Sequence, residues 1–136
     1  MGAPKLAIQG LGKTFRTDRG ETTALKGFDL AVEDNEFVAL VGTSGCGKST
    51  LLSIAAGLET YDEGSIAIDG MPIVQPGLDR GVVFQSYTLL PWLTALGNVE
   101  FALRAAGKSV AEARDHLRLV QLMASRTPIP PSSPAA

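Results

Sequence analysis

The sequence predicts an α/β fold. An antiparallel β-subdomain opens it, a strand–loop–helix core follows, and the start of a helical subdomain comes last. Three observations predict it. FVALVG (37–42) is a continuous apolar run that leads through a glycine-rich loop into STLLSIAAGL, where leucine and alanine recur at helical spacing. Residues 5–34 alternate and turn as short strands do. From Thr94 onward the apolar period becomes helical.

Taken in order, KLAIQGL alternates, TDRGET is a polar turn, and ALKGFDLAV sets Leu25, Phe28, Leu30 and Val32 as its apolar positions. Antiparallel strands are expected there. FVALVG is expected to be a strand buried on both faces, because nothing in it is polar. In the helix that follows, Leu51, Leu52, Ala55 and Leu58 fall on one predicted face, with Gly57 near its end. GSIAIDG (64–70) alternates and closes on Asp-Gly, a hairpin-turn pair. RGVVFQ (80–85) reads as another short strand. Leu96, Val99, Leu103 and Ala106 line one helix, and Val110, Ala113, Leu117 and Val120 line a second. The expected division is 1–88, 89–122 and a tail, 123–136. The tail holds four of the eight prolines with almost no apolar periodicity, so disorder is expected there.

Composition narrows the function. The 136 residues suffice for one domain, and 45% hydrophobic with 19% charged residues is ordinary for a soluble globular chain. A net charge of −2 offers no basic stripe, so no nucleic-acid partner is expected. The opening MGAPKLAIQG lacks the basic-then-apolar order of a secretory signal. A single cysteine, Cys46, excludes an internal disulfide and a cysteine metal cluster. A cytoplasmic location is expected.

The chemistry lies in residues 42–50. Gly42, Thr43, Ser44, Gly45, Cys46, Gly47, Lys48 and Ser49, followed by Thr50, match G-x-x-x-x-G-K-[ST] at every fixed position. Triphosphate oxygens need many donors at close range. Glycines let consecutive N–H groups turn inward as an anion nest, and the next helix adds its positive N-terminal end. Lys48 supplies a full charge near the β- and γ-phosphates, and the Ser49 hydroxyl can ligate magnesium. Cys46 reads as a small residue valued for its backbone N–H rather than as a redox switch.

VGTSGCGKSTLLSIAAGLETYDEGSIAIDG, followed by RGVVFQSYTLLPWLTALGNVEFAL, resembles the ATP-binding subunit of ABC transporters over residues 5–122. Within that superfamily it is most similar to importer ATPases for taurine, other sulfonates and nitrate. The resemblance implies a P-loop NTPase of the ABC ATPase type, of which this is the N-terminal half, with ATP and Mg2+ as cofactors. It implies that Phe15 stacks on adenine, that residues 42–50 hold the phosphates, and that Gln85 touches magnesium and the attacking water. Lys48 and Gln85 are the implied catalytic residues, and Ser49 and Gln85 the implied metal ligands. It further implies a second copy of the subunit, transmembrane permease subunits docking near Gln85–Leu93, and a solute-binding protein acting indirectly. The chain would then sit on the inner face of the cell membrane. Trp92 is either a docking residue or a cover for the helical subdomain's own core.

The same family uses a Ser-Gly-Gly signature, an apolar strand ending in aspartate followed by a catalytic glutamate, and a later switch histidine. No Ser-Gly-Gly follows Leu122, and no four-residue apolar run ends in Asp-Glu. His116, the one histidine, precedes the place of the signature and sits one turn after Glu112, as an exposed ion-paired residue would. Glu59, Asp62, Glu63 and Asp69 read as solvated turn residues rather than bases. Two readings therefore stand: an ATPase subunit of an importer, and a truncated, non-catalytic form that at most binds ATP. A small P-loop kinase is a minor third, since Arg104, Arg114 and Arg118 are spread along helices rather than gathered in a lid. An apolar strand lacking its sheet partners would leave an open edge and poor solubility.

Overall fold

The computed structural model describes residues 4–18, 20–86 and 88–122, so the Pro-rich tail and its expected disorder lie outside the described residues. These fall into two units divided between Val82 and Val83.

In the first unit, β1 (Leu6–Thr17) and β2 (Gly20–Val32) form a long antiparallel hairpin. β3 (Glu63–Ile68) pairs antiparallel with the other edge of β1, and β4 (Met71–Pro72) pairs with β3, giving the order β2-β1-β3-β4. Asp69 and Gly70 take φ of 49° and 76° between Ile68 and Met71, the two-residue hairpin geometry that Asp-Gly favours. The register of β1 against β2 slips between Lys13 and Thr14: Lys13 faces Leu25 and Thr14 faces Thr23, so Ala24 is the extra residue of a bulge.

α1 (Lys48–Ala55) lies on this sheet. Leu51 and Ile54 are buried with Ile8, Leu11, Leu25, Ile66 and Ile73 in one apolar cluster, and removal of that surface from water is what holds helix to sheet. The sequence places Leu52 and Leu58 on the same face, but both are more than half exposed. Ile54, three residues after Leu51, fills the core position instead, and the helix ends before Leu58. It ends because Gly57 takes φ 75°. Leu58 N–H then donates to Ser53 O and Gly57 N–H to Ile54 O, which satisfies carbonyls the helix would leave open.

The two expected core strands are a correction. Residues 37–42 and 80–85 form no strand and belong to no ladder. Phe37 is 92% exposed, Val41 95% and Val83 99%; only Leu40 of the first run packs against the core. The residue types are right for a strand covered on both faces. A parallel strand, however, pairs only across a long crossover, and the four described strands pair solely as antiparallel neighbours.

The second unit contains α2 (Ala95–Ala105), a 3₁₀ turn (Val110–Glu112) and α3 (Ala113–Leu119). Thr94 caps α2, its Oγ1 accepting from Gly97 N–H at 3.0 Å. Leu96, Val99, Leu103 and Ala106 are all half-buried, and Ala113 and Leu117 are buried, as their spacing predicts. Val120 lies past the end of α3 and is 61% exposed.

Candidate functional site

The glycine-rich loop lies between the unpaired run 37–42 and the first residue of α1. Gly45 and Gly47 take φ of 81° and 91°, so the chain doubles back before the helix begins. At Gly47 a side chain is excluded twice. Its φ lies in the left-handed region, and a Cβ would collide with the carbonyl oxygen of Ala24. That carbonyl is there because of the bulge at Ala24, so the β1–β2 hairpin sets where the loop passes into the helix. A Cβ on Gly42 would lie 2.6 Å from Cys46 Sγ, so the two ends of the loop approach closely only because residue 42 has no side chain.

Lys48 folds back across this loop. Its Nζ donates to Gly42 O at 2.8 Å and Thr43 O at 2.7 Å, and lies 3.3 Å from Cys46 Sγ. The start of α1 has no side-chain cap and no acidic residue in its first turn. The N–H groups of a first helical turn have no partner within the helix, so this end favours an anion. Ser49 is exposed on the same turn. A triphosphate would fit here: loop and helix N–H groups would hold its oxygens, Lys48 would exchange carbonyl partners for phosphate, and Ser49 would offer one hydroxyl to a magnesium ion. No cluster of three or more His, Cys, Asp or Glu among the described residues could hold a metal by itself. Phosphate oxygens would therefore have to supply part of its ligand set.

Phe15 lies on β1 opposite Thr22, two residues along β2 from Ala24 and hence about 7 Å of strand from the Gly47 contact. It is 36% exposed. Lys13 Nζ stands 5.1 Å from the centre of its ring. Phe15 and the loop thus belong to one unit, whereas Gln85 belongs to the other and is exposed there.

The carboxylates after α1 are exposed or half-buried as expected, and all but Glu63, which opens β3, lie in turns. Glu59 Oε1 accepts from Lys13 Nζ at 2.9 Å, and Asp62 Oδ2 accepts from Thr14 N–H at 2.7 Å, so the turn is pinned to β1. The Lys13 hydrogen bond, and after it the Thr60 N–H, hold the Glu59 carboxyl below its ordinary value. Asp69 accepts from Lys5 Nζ at 2.7 Å; that hydrogen bond, then the Asp69 charge, raise the Lys5 ammonium above its usual range. His116 is exposed, with Nε2 3.8 Å from Glu112 Oε2, as the helical spacing predicts.

Sequence reasoning missed two residues. Lys13 is one polar position in a strand, and its burial accompanies the bulge opposite it, which no spacing rule signals. Asn98 looked like one more polar residue of a helix. Its Oδ1 accepts from Leu90 N–H at 2.7 Å, and its Nδ2 donates to Thr94 O at 3.0 Å and Leu90 O at 3.2 Å. One side chain thereby fixes the segment that carries Trp92. Trp92 itself is 70% exposed and does not cover the core of its unit.

No helix among the described residues is long and apolar enough to cross a membrane. Comparison with known proteins agrees with this geometry. The family model described as ABC transporter matches residues 25–132. The taurine import ATP-binding protein TauB of Burkholderia pseudomallei (strain K96243) is 46% identical over 122 residues, which is 87% of this chain and 47% of TauB. The nitrate import ATP-binding protein NrtD of Synechocystis sp. is 48% identical over 110 residues, 81% of this chain and 41% of its own. The bicarbonate transport ATP-binding protein CmpD of the same organism is 44% identical over 123 residues, 86% and 44% of the two chains. Among solved structures, the dimeric post-hydrolysis state of the ATP-binding cassette MJ0796, bound to ADP and Pi, aligns with a TM-score of 0.73 at 30% identity. It covers 85% of this chain and 57% of the cassette. The chain spans about half the length of the curated relatives it matches. A glycine-rich loop turned onto a helix start, seated on an antiparallel hairpin and matched by a family model across most of its length, places this chain in the ABC transporter ATP-binding family.

Proposed function

We propose that this chain is the nucleotide-gripping half of the ATP-binding subunit of an ABC importer. The observation that carries the reading is the turned loop 42–47, delivered onto an uncapped helix start that carries Lys48 and no acid. In this reading residues 42–50 hold the triphosphate of ATP, Phe15 meets the adenine, and Ser49 faces the magnesium ion. Magnesium would supply charge neutralisation at the phosphates. Lys48 shares that task from the protein side, its ammonium stabilising charge on the phosphoryl group. The subunit works beside a second copy of itself, with permease subunits docking near Gln85–Leu93 on the inner face of the membrane. Relatives named for taurine, nitrate and bicarbonate support a small solute bearing an oxyanion group as the cargo.

Hydrolysis by this chain alone is a separate matter. The alternative reading is a form that binds ATP and does not turn it over. Titration calorimetry of the purified chain with ATP and magnesium tests the binding. Binding is expected for the wild type, and its loss in Lys48→Ala; unchanged affinity in that variant sinks the loop assignment. Steady release of phosphate by the wild-type chain would sink the non-catalytic form and favour the full enzyme.

A further inference from the structure

Lys13 is 8% exposed, an unusual setting for a lysine, and none of the roles proposed above uses it. An ammonium group has three donors. Glu59 Oε1 at 2.9 Å and Thr60 Oγ1 at 3.1 Å take two of them. The Phe15 ring, its centre 5.1 Å away, lies within the range at which a cation is attracted to an aromatic face. Glu59 and Thr60 lie in the turn four and five residues past the last residue of α1, whose first residue is Lys48. The cation therefore ties the Phe15 ring to the turn that leaves the same helix whose start carries the phosphate loop.

We propose that Lys13 is a positioning residue for the base of the nucleotide. Held by Glu59 and Thr60, its ammonium occupies one side of the Phe15 ring and fixes the ring's angle, and the exposed part of the ring is left for the adenine. The geometry makes α1 a shared ruler. Its start sets the triphosphate site, and the turn that follows its end, through Glu59, Thr60 and Lys13, sets the stacking plane. The inference rests on Phe15 meeting adenine, and the experiment separates the two.

The full chain is titrated with ATP and, in parallel, with inorganic tripolyphosphate, which has no base to stack. In the wild type ATP binds more tightly than tripolyphosphate, and Phe15→Ala removes that preference; this arm reads the stacking itself. Lys13→Met keeps the length and apolar stem of the side chain without its charge. It is expected to weaken ATP about three- to ten-fold and leave tripolyphosphate unchanged. Lys13→Arg, which keeps a cation over the ring, is expected to restore the preference. In a Phe15→Ala background Lys13→Met is expected to have no further effect.

An ATP affinity in Lys13→Met equal to wild type overturns the proposal. So does an equal loss for both ligands, which would mean damage to the fold or the loop. A Lys13→Met effect that persists without Phe15, or the absence of rescue by arginine, overturns it as well. If Phe15→Ala leaves the preference intact, the stacking reading falls and the proposal falls with it. If Phe15→Ala removes the preference and Lys13→Met does not change it, the proposal alone falls.

Discussion

Gly47 and Glu59 show how far single residues shape this site. At Gly47 the backbone needs a φ of 91°, and the Ala24 carbonyl leaves no room for a methyl group. Gly47→Ala is expected to cost at least about 2 kcal/mol and to abolish ATP binding, read from urea unfolding and from nucleotide titration of the same sample. Glu59 makes a pH prediction. Its folded carboxyl titrates below its ordinary value of 4.5, because Lys13 and then the Thr60 N–H favour the charged form. A group with a depressed folded value contributes stability fully above its unfolded value, and that contribution is lost as pH falls through the folded one. The melting temperature of the wild type should therefore fall faster below about pH 4.5 than that of Glu59→Gln, in which the titrating group is gone. Parallel curves would show that the contact with Lys13 contributes nothing measurable. The motif itself was legible residue by residue, since Gly42, Gly47, Lys48 and Ser49 stand at fixed spacing. The tether from Glu59 to Lys13 was not, because it joins residues 46 positions apart through a bulge.

At the scale of elements, periodicity read best where both partners of a contact lie close in sequence. The second unit's helices turn inward the faces their spacing predicts, half-buried on α2 and buried at Ala113 and Leu117, with Val120 the exception, and the Asp69–Gly70 hairpin follows from its turn residues. The runs 37–42 and 80–85 read as strands because composition reports what a segment is suited to pair with, not whether the partner is at hand. The segment before α2 depends on Asn98 in a way its sequence does not reveal. Replacing Asn98 by Ala strips Leu90 N–H of its acceptor and the Leu90 and Thr94 carbonyls of a donor, at about 1–3 kcal/mol. Amide hydrogen exchange should speed up across residues 90–94 in Asn98→Ala and stay unchanged across β1 to β4. Uniform acceleration through both units would mean that Asn98 supports more than this segment.

For the molecule as a whole, the exposed apolar residues set the behaviour in solution. Phe37 and Val41 are almost fully open to water, along a run suited to strand pairing. Such an edge recruits other chains. The purified chain is expected to bind a hydrophobic dye and to scatter light at micromolar concentration. Phe37→Lys should reduce both with little change in the melting temperature, because that side chain touches no core residue. A monodisperse wild-type monomer with a sharp cooperative melt would contradict this.

If the loop holds a triphosphate, as proposed above, the Lys48 contacts bear on how quickly a nucleotide would be captured. With its ammonium resting on the Gly42 and Thr43 carbonyls, the loop is already bent into shape by an internal guest. An incoming triphosphate need not organise a disordered segment; it displaces one tethered cation from two oxygens. Capture then becomes a swap of ligands within a preset mould, governed by encounter and by competition from other polyanions rather than by a slow search for the right backbone.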